Sequence, residues 1–175
     1  MDHQLIVMDL RKTLYLARDL MQKNAISHAL IGGFALAVYG NHRTTSDIDL
    51  LADGDKKELI KSVFISNGFL LKHESNEVLQ FAGPGFLDIL LAHRPMTKMM
   101  LKDANKNAEL GIEVLKAEDL IGLKIQAYKN DSSRELQDKA DIQKLLKLDG
   151  LDLLRIKKYA DLFNEWSVIE KLKGT

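Results

Sequence analysis

Residues 31–50 constrain the fold of this chain more than any other stretch. Gly32 and Gly33 follow a short apolar run and precede a short segment with helical character. Further along, Asp47 and Asp49 alternate with apolar residues. Such alternation is typical of a β-strand, so both carboxylates should leave one face of a sheet while their apolar neighbours enter the core.

The spacing of the two aspartates suggests a cation site. At a rise of about 3.3 Å per residue, the Cα atoms of Asp47 and Asp49 would lie about 6.6 Å apart. Their carboxylates can then share one or two hard cations. At about 4 Å, two like charges repel by about 1 kcal/mol in water but by about 4 kcal/mol in a cleft. A pair in a cleft therefore needs a cation, whereas a pair on a solvated strand does not, and both alternatives stay open for this pair alone.

The glycine pair favours phosphate chemistry. Glycines directly after an apolar run allow a sharp turn that brings backbone N–H groups close to a ligand. The N-terminus of the following helix attracts anions. The alternative is an ordinary strand-to-helix turn. A phosphate-binding corner beside a metal-binding strand would suit phosphoryl chemistry with a nucleoside triphosphate and magnesium.

Composition restricts the class of protein. The 175 residues suffice for one domain, or for one domain with a helical appendage. Acidic and basic residues balance at 25 each, so no general attraction to nucleic acid or to an anionic membrane is expected. The absence of cysteine excludes disulfides, a thiolate zinc site and a cysteine nucleophile. Charges throughout residues 1–19, with no apolar run near 18 residues, predict a cytoplasmic protein without a membrane partner.

Hydrophobic periodicity predicts an α/β (α+β) chain, with a mixed sheet of about five strands flanked by helices and a C-terminal helical segment. Strands are expected over 28–31, 46–52, 69–72, 77–81 and 86–92, with 112–115 as an addition. Helices are expected over 4–23, 34–39, 56–67, 117–130, 134–147 and 151–166, followed by a ragged basic tail. Residues 94–107 are interpreted as a loop or short helix. The expected domains are a core over 1–116, with its N-terminal helix, and a helical segment over 117–175.

A third carboxylate stands in an unusual context. Asp88 is the single acid in the apolar strand of residues 86–91. Burying an unpaired carboxylate is very costly, so this residue is a candidate third ligand beside Asp47 and Asp49. The alternative is a strand residue that faces solvent.

These residues resemble a known signature. A hydrophobic residue with Gly32-Gly33, a spacer, and the hydrophobic-flanked acids Asp47 and Asp49 are similar to the motif of the DNA polymerase β-like nucleotidyltransferase superfamily. Asp88 stands where such enzymes carry their third carboxylate. Many members have serine at the second glycine, so a hydroxyl contact to phosphate would be missing here and backbone amides would serve instead.

Two branches of the superfamily are similar to residues 32–49. One contains the AbiEii-type toxins of type IV toxin–antitoxin (abortive infection) systems. The other contains the small nucleotidyltransferases that modify aminoglycosides and lincosamides. Downstream, residues 119–124 and 134–142 resemble the lysine motif and the closing helix of the toxin branch.

The resemblance implies a role for each residue. Asp47 and Asp49 would bind two Mg²⁺ ions about 3.5–4 Å apart, with Mn²⁺ as an alternative, and Asp88 would join the ion that activates the attacking hydroxyl. Asp88 would also take the proton of that hydroxyl. The nucleotide-binding residues would be Gly32, Gly33, Arg43 and Lys124, although each of the two cations is equally well explained as a surface residue. Asp138 and Asp141 would cap, pair with or position Lys124 rather than bind metal.

The implied activity is a Mg²⁺-dependent transfer of a nucleoside monophosphate from NTP to an acceptor hydroxyl, with release of pyrophosphate. The reaction would be an in-line attack on the α-phosphorus that depends on positioning and electrostatics. The acceptor would be tRNA or another RNA, a protein, or a small molecule, and a toxin would also bind an antitoxin. The alternatives are an antibiotic-type small-molecule nucleotidyltransferase and a non-catalytic nucleotide- or partner-binding module on the same fold.

Overall fold

A computed structural model describes the backbone of residues 3–175 and the side chains of residues 10–175. The helices are α1 (His3–Lys23), α2 (Gly32–Val38), α3 (Lys57–Ser66), α4 (Pro95–Lys102), α5 (Ala117–Asn130), α6 (Glu135–Leu145), α7 (Leu153–Leu162) and α8 (Trp166–Lys173). The strands are β1 (His28–Ile31), β2 (Ile48–Asp53), β3 (Leu70–Glu74), β4 (Val78–Ala82), β5 (Leu87–Ala92), β6 (Asn105–Asn107) and β7 (Ile112–Val114). Within residues 3–175, no helix combines the length and apolar character needed to cross a membrane.

The chain divides into two compact units. The first consists of Met1–Ala35 and Arg43–Leu115 and contains the sheet. The second consists of Leu36–His42 and Lys116–Thr175 and contains the helices from α5 onward.

The sheet of the first unit is mixed, in the order β3-β4-β5-β2-β1-β7-β6. Strands β2 and β5 run parallel at its centre, and β1 and β4 flank them as antiparallel neighbours. The predicted class is confirmed, but the prediction of about five strands is wrong, because the sheet has seven. The strand that the sequence did not indicate is β6, whose three residues Asn-Lys-Asn are polar and exposed or half-buried and so show no apolar alternation.

One face of the β3–β5 hairpins is buried and the other is open. Along β4, Leu79 and Phe81 are buried, while the residues that alternate with them are half-exposed. The ring of Phe81 packs against those of Phe64 and Phe69, with centroid separations of 5.3 and 6.2 Å. This aromatic cluster forms the core below the hairpins. The opposite face carries the half-exposed residues Val78, Gln80 and Ala82 and, as described below, the candidate site.

Helix α1 packs an apolar stripe into the core. Leu14, Ala17 and Met21 are fully buried at the spacing expected of an amphipathic helix. Ile6, which the sequence predicts in the same stripe, lies outside the described side chains. Thr13 is also fully buried, and its hydroxyl donates to the carbonyl of Pro84, at a distance of 3.2 Å.

One local prediction is wrong, and another is confirmed only in part. Residues 151–166 do not form one helix, because the chain breaks at Asn164, whose φ of 56° is left-handed, and resumes as α8 in the segment expected to be a ragged tail. Residues 94–107, expected to be a loop or short helix, form helix α4 followed by β6. Pro95 fits the first position of α4, since that position needs no N–H donor.

The second unit is organised around buried ion pairs. Asp119 is fully buried and accepts hydrogen bonds from the Arg155 guanidinium at 2.6 and 2.8 Å and from the Tyr159 hydroxyl. Gly122 makes room for the Tyr159 ring, because a Cβ at this position would lie 2.6 Å from a ring carbon. Each buried charge in this group therefore has partners, as burial requires.

Candidate active site

The pairing of β2 with β5 determines the geometry of the candidate site. The two strands are parallel, and their register sets Asp49 directly beside Asp88. The residues that flank Asp49, Ile48 and Leu50, are fully buried, and so are those that flank Asp88. Because side chains alternate along a strand, both carboxylates leave the sheet on its open face.

Asp47 joins them from the residue just before β2. Carboxylate oxygens of Asp47, Asp49 and Asp88 all lie within 4.8 Å of one another, and all three residues are half-buried. Three hard oxygen donors converging on one point are the ligands that Mg²⁺ and Mn²⁺ prefer. The residues at this site therefore fit a divalent cation. The three acids that the sequence singled out are brought together.

The carboxylates at the site carry like charges and repel one another. Partial burial raises the pKa of the Asp88 carboxyl, and the neighbouring charge of Asp47 raises this pKa further. A hydrogen bond from Gln80 acts in the opposite direction. The net rise in pKa indicates that this carboxylate is more basic than an ordinary aspartate and carries uncompensated negative potential.

Gln80 orients Asp88 from the adjacent strand. It lies opposite Asp88 in the antiparallel pairing of β4 with β5, and its Nε2 donates to Asp88 Oδ2 at 3.3 Å. Thr45 has a corresponding position next to Asp47, because its hydroxyl lies 3.2 Å from Asp47 Oδ1 and 3.3 Å from the Asp47 carbonyl oxygen. Two of the three carboxylates therefore have a neutral hydrogen-bond donor that holds them in place.

The glycine pair packs directly against these side chains. Gly32 has a φ of 65°, and a Cβ there would lie 2.6 Å from the carboxylate carbon of Asp49. A Cβ on Gly33 would lie 2.7 Å from Cβ of Thr45. Both glycines are therefore required by close approach, and the first is also required by its left-handed backbone.

The two cations predicted to bind nucleotide have different surroundings. Arg43 is half-buried in the first unit, where its Nη1 lies 3.4 Å from the Thr44 carbonyl. Lys124 belongs to the second unit and is 8% exposed. Its ammonium lies 3.0 Å from Asp138 and 2.8 Å from Asp141. Two buried carboxylates therefore already neutralise the Lys124 charge.

Comparison with solved structures identifies the fold. The chain is similar to an antigenic nucleotidyltransferase-like protein from Paracoccidioides brasiliensis, with 17% identity, a TM-score of 0.57, and coverage of 95% of this chain and 92% of that chain. It is similar to the antibiotic-resistance factor ANT(2'')-Ia, with 13% identity, a TM-score of 0.56, and coverage of 99% and 91%. It is also similar to the lincosamide antibiotic adenylyltransferase LnuA, with 16% identity, a TM-score of 0.52, and coverage of 78% and 96%.

This chain has the nucleotidyltransferase fold. The resemblance to the polymerase β-like superfamily is confirmed at the level of the fold. No protein-family model matches the chain, and no curated protein matches its sequence.

Two hydrogen-bond donors that hold the acids, Gln80 and Thr45, were not predicted from the sequence. Gln80 is a polar residue in an alternating strand, but only the register of β4 with β5 shows which carboxylate it meets. Thr45 stands two residues before Asp47, a spacing at which a hydroxyl can reach a carboxylate. That local signal was available in the sequence, whereas the signal for Gln80 was not.

Proposed function

We propose that this chain is a divalent-metal-dependent nucleotidyltransferase, which transfers a nucleoside monophosphate from NTP to an acceptor hydroxyl. The observation that carries the proposal is the convergence of Asp47, Asp49 and Asp88 within 4.8 Å in a nucleotidyltransferase fold. A purely structural role does not explain three adjacent carboxylates, because their mutual repulsion destabilises the folded chain when no metal is bound.

Asp47, Asp49 and Asp88 would hold Mg²⁺, or Mn²⁺ in its place. Such ions, when bound, would neutralise charge on the triphosphate and favour ionisation of the acceptor hydroxyl. In the reaction a bond forms between the acceptor oxygen and the α-phosphorus. The bond from that phosphorus to the bridging oxygen breaks, and pyrophosphate leaves. The acceptor proton moves to the Asp88 carboxylate.

The surroundings of Asp88 suit the role of general base. Gln80 donates to Oδ2, so the second oxygen, Oδ1, is the one assigned to the acceptor proton. In this proposal Gln80 is a positioning residue, since it acts only through Asp88.

The nucleotide would lie beside the glycine pair. Asp49 leaves no room for a side chain at Gly32, and Thr45 leaves none at Gly33. A triphosphate at this place would therefore contact backbone N–H groups. Arg43 is assigned to the charge of the triphosphate. That Lys124 binds nucleotide stays a prediction, and within the second unit its ammonium pairs with Asp138 and Asp141.

Transfer from a labelled nucleotide tests the proposal. The full chain is incubated with Mg²⁺, NTPs labelled at the α-phosphate and acceptor pools of total tRNA, protein extract or aminoglycosides. We expect label to move to one pool, and Asp47→Asn or Asp49→Asn to reduce transfer about 100-fold or more, as expected for loss of a direct metal ligand.

Asp53→Asn is the matched control for these variants. Asp53 ends the same strand, lies outside the three-acid cluster, and accepts a hydrogen bond from the Asp55 N–H that asparagine can also accept. Its transfer activity should equal that of the wild type. Absence of both NTP binding and transfer in the wild type would contradict the proposal, whereas NTP binding without transfer would favour the non-catalytic alternative.

The toxin role is a further part of the proposal and rests on the sequence resemblance of residues 119–124 and 134–142. Induced expression in a bacterial host should arrest growth, and Asp49→Asn should abolish the arrest without lowering the amount of protein. A neighbouring antitoxin would be recovered by copurification. Unimpaired growth with active wild-type enzyme would contradict this role and favour a stand-alone enzyme with a small-molecule acceptor.

A further inference from the structure

The segment just before β2 continues the alternating burial of that strand. Arg43, Thr45 and Asp47 are half-buried, whereas the residues between them are exposed. Asp49 is the next half-buried residue in the same two-residue period, which is the period of an extended segment. Thr45 therefore stands in the sequence between Arg43, which is assigned to the triphosphate, and Asp47, which is a candidate metal ligand.

The hydroxyl of Thr45 is aimed at Asp47. Its Oγ1 lies 3.2 Å from Asp47 Oδ1 and 3.3 Å from the Asp47 carbonyl oxygen. A hydroxyl has a single proton to donate, so the carboxylate and the carbonyl oxygen share it. The terminal torsion of an aspartate side chain is broad and has no sharply preferred angle. The orientation of the Asp47 carboxylate therefore depends on an external contact, and Thr45 supplies one.

Gly33 leaves the space in which the Thr45 side chain sits. A Cβ added to Gly33 would lie 2.7 Å from Thr45 Cβ, 2.9 Å from Oγ1 and 3.1 Å from Cγ2, so the whole threonine side chain packs against the bare glycine. Threonine is β-branched and therefore stiff at its first side-chain torsion. A stiff side chain packed in this way keeps its hydroxyl in one place, which lowers the entropic cost of ordering Asp47 around a metal ion.

We propose that Gly33 and Thr45 form a positioning pair for the metal site. Gly33 provides the space that Thr45 fills, and the Thr45 hydroxyl holds the Asp47 carboxylate turned toward the other two acids. This inference rests on the metal site of the proposed function and adds Thr45 to it as a positioning residue, which acts only through Asp47. It also gives the second glycine a role besides the close approach of a phosphate, because Gly33 is then required even when no nucleotide is bound.

Calorimetric titration of the full chain with Mn²⁺, without nucleotide, tests the positioning pair. Leaving out the nucleotide excludes any effect that passes through phosphate binding at the glycines. Thr45→Val keeps the shape of the side chain but removes the hydroxyl, and we expect Mn²⁺ affinity to fall about ten-fold, as for loss of a group that orients a metal ligand. Thr45→Ser keeps the hydroxyl and should retain more of the affinity. Thr44→Val is the matched control, because the neighbouring threonine is exposed, and its affinity should equal that of the wild type.

A double-mutant cycle with Gly33→Ala separates positioning from packing. Valine fills the same space as threonine, so Gly33→Ala should lower the free energy of unfolding by a similar amount in the wild type and in Thr45→Val. Mn²⁺ affinity should behave differently. Gly33→Ala should weaken Mn²⁺ binding in the wild type, because it displaces the hydroxyl from Asp47. It should have little further effect in Thr45→Val, which has no hydroxyl to displace.

The outcomes distinguish the positioning pair from the proposed function. Equal Mn²⁺ affinity in Thr45→Val and the wild type, an equal loss in Thr44→Val, or losses that add fully in the cycle would overturn the pair while leaving the transfer reaction intact. A wild type that shows the expected cycle but transfers no nucleotide would retain the pair as part of a metal site and remove the proposed enzymatic activity. A wild type that binds no Mn²⁺ would overturn both.

Discussion

Replacing Asp88 by asparagine should stabilise the metal-free protein and destabilise it relative to the wild type once a divalent ion is added. The substitution removes one charge whose oxygen lies within 4.8 Å of oxygens of both Asp47 and Asp49. The amide oxygen of asparagine can still accept the Gln80 hydrogen bond, so the packing is conserved. The change therefore isolates the electrostatic part of the site.

The size of the expected change in the free energy of unfolding follows from Coulomb's law. Each pair of charges about 4 Å apart repels by about 1 kcal/mol in water and by about 4 kcal/mol at an effective dielectric constant of 20. Asp88 is half-buried, so solvent screening brings each of its two repulsions near the lower value. We expect Asp88→Asn to raise the free energy of unfolding of the metal-free chain by about 1–2 kcal/mol, or roughly 2–8 °C in Tm.

Divalent ions should reverse this order. An ion at 100 times its Kd stabilises the folded wild type by about 2.7 kcal/mol, whereas the variant binds it more weakly. Urea unfolding with EDTA, and then with Mn²⁺, measures both states, and Asp53→Asn serves as the control. A variant that is no more stable than the wild type without metal, or a wild type whose stability does not respond to Mn²⁺, would refute the reasoning.

The pH dependence of the same variant gives an independent check. Burial and the charge of Asp47 raise the pKa of Asp88 in the folded state above its ordinary 3.8. The unfolded chain therefore releases this proton first as pH rises, and the metal-free wild type loses stability from about pH 3.8 up to the raised pKa. The advantage of Asp88→Asn should accordingly be largest at neutral pH and shrink on acidification.

Three further predictions concern the surroundings of the site and the core. Gln80→Leu should weaken Mn²⁺ binding about ten-fold by releasing Asp88, which titration calorimetry measures, and unchanged affinity would remove Gln80 as a positioning residue. Gly33→Ala should destabilise the chain by about 1–3 kcal/mol through overpacking against Thr45. Thr45→Gly removes the Cβ that a side chain at position 33 would meet, so Gly33→Ala should cost much less stability in the Thr45→Gly background in urea unfolding, and equal loss in both backgrounds would contradict the contact. Burial lowers the pKa of His28 below 6.5, so the wild type should lose stability relative to His28→Gln as pH falls below about 6.5, and parallel pH profiles would contradict this.

The sequence alone was sufficient to predict the two strands that carry the acids. Asp47 and Asp49 alternate with fully buried apolar residues, and this two-residue period predicts both the strand and the shared face of the two carboxylates. Asp88 stands as a single acid in an apolar run, which predicts the strand and singles out the acid. The glycine pair and the two acidic positions also predicted the fold through resemblance. A strand with so strong an apolar pattern can be predicted from its local sequence.

The remaining features depend on pairing that no local pattern encodes. The meeting of Asp88 with Gln80 follows from the register of β4 with β5. Strand β6 has no apolar alternation, since its three residues are polar. The break at Asn164 is a left-handed residue inside a pattern that otherwise continues as helical, so the apolar periodicity did not indicate it.

The roles of the cations show a similar limit. Lysine at position 124 was predicted to contact nucleotide, yet its charge is matched by the carboxylates of Asp138 and Asp141. The pairing of Lys124 with Asp138 and Asp141 was among the roles that the resemblance implied, but no local pattern in the sequence shows it. Pairs between helices are tertiary information.

The most direct test of the account is calorimetric titration of the chain with Mn²⁺ in the presence of a non-hydrolysable ATP analogue. The account predicts saturable binding in the wild type and in Asp53→Asn, and a loss of about 100-fold or more in affinity in Asp49→Asn. Equal Mn²⁺ affinity in Asp49→Asn and the wild type would contradict the claim that the three acids form a metal site.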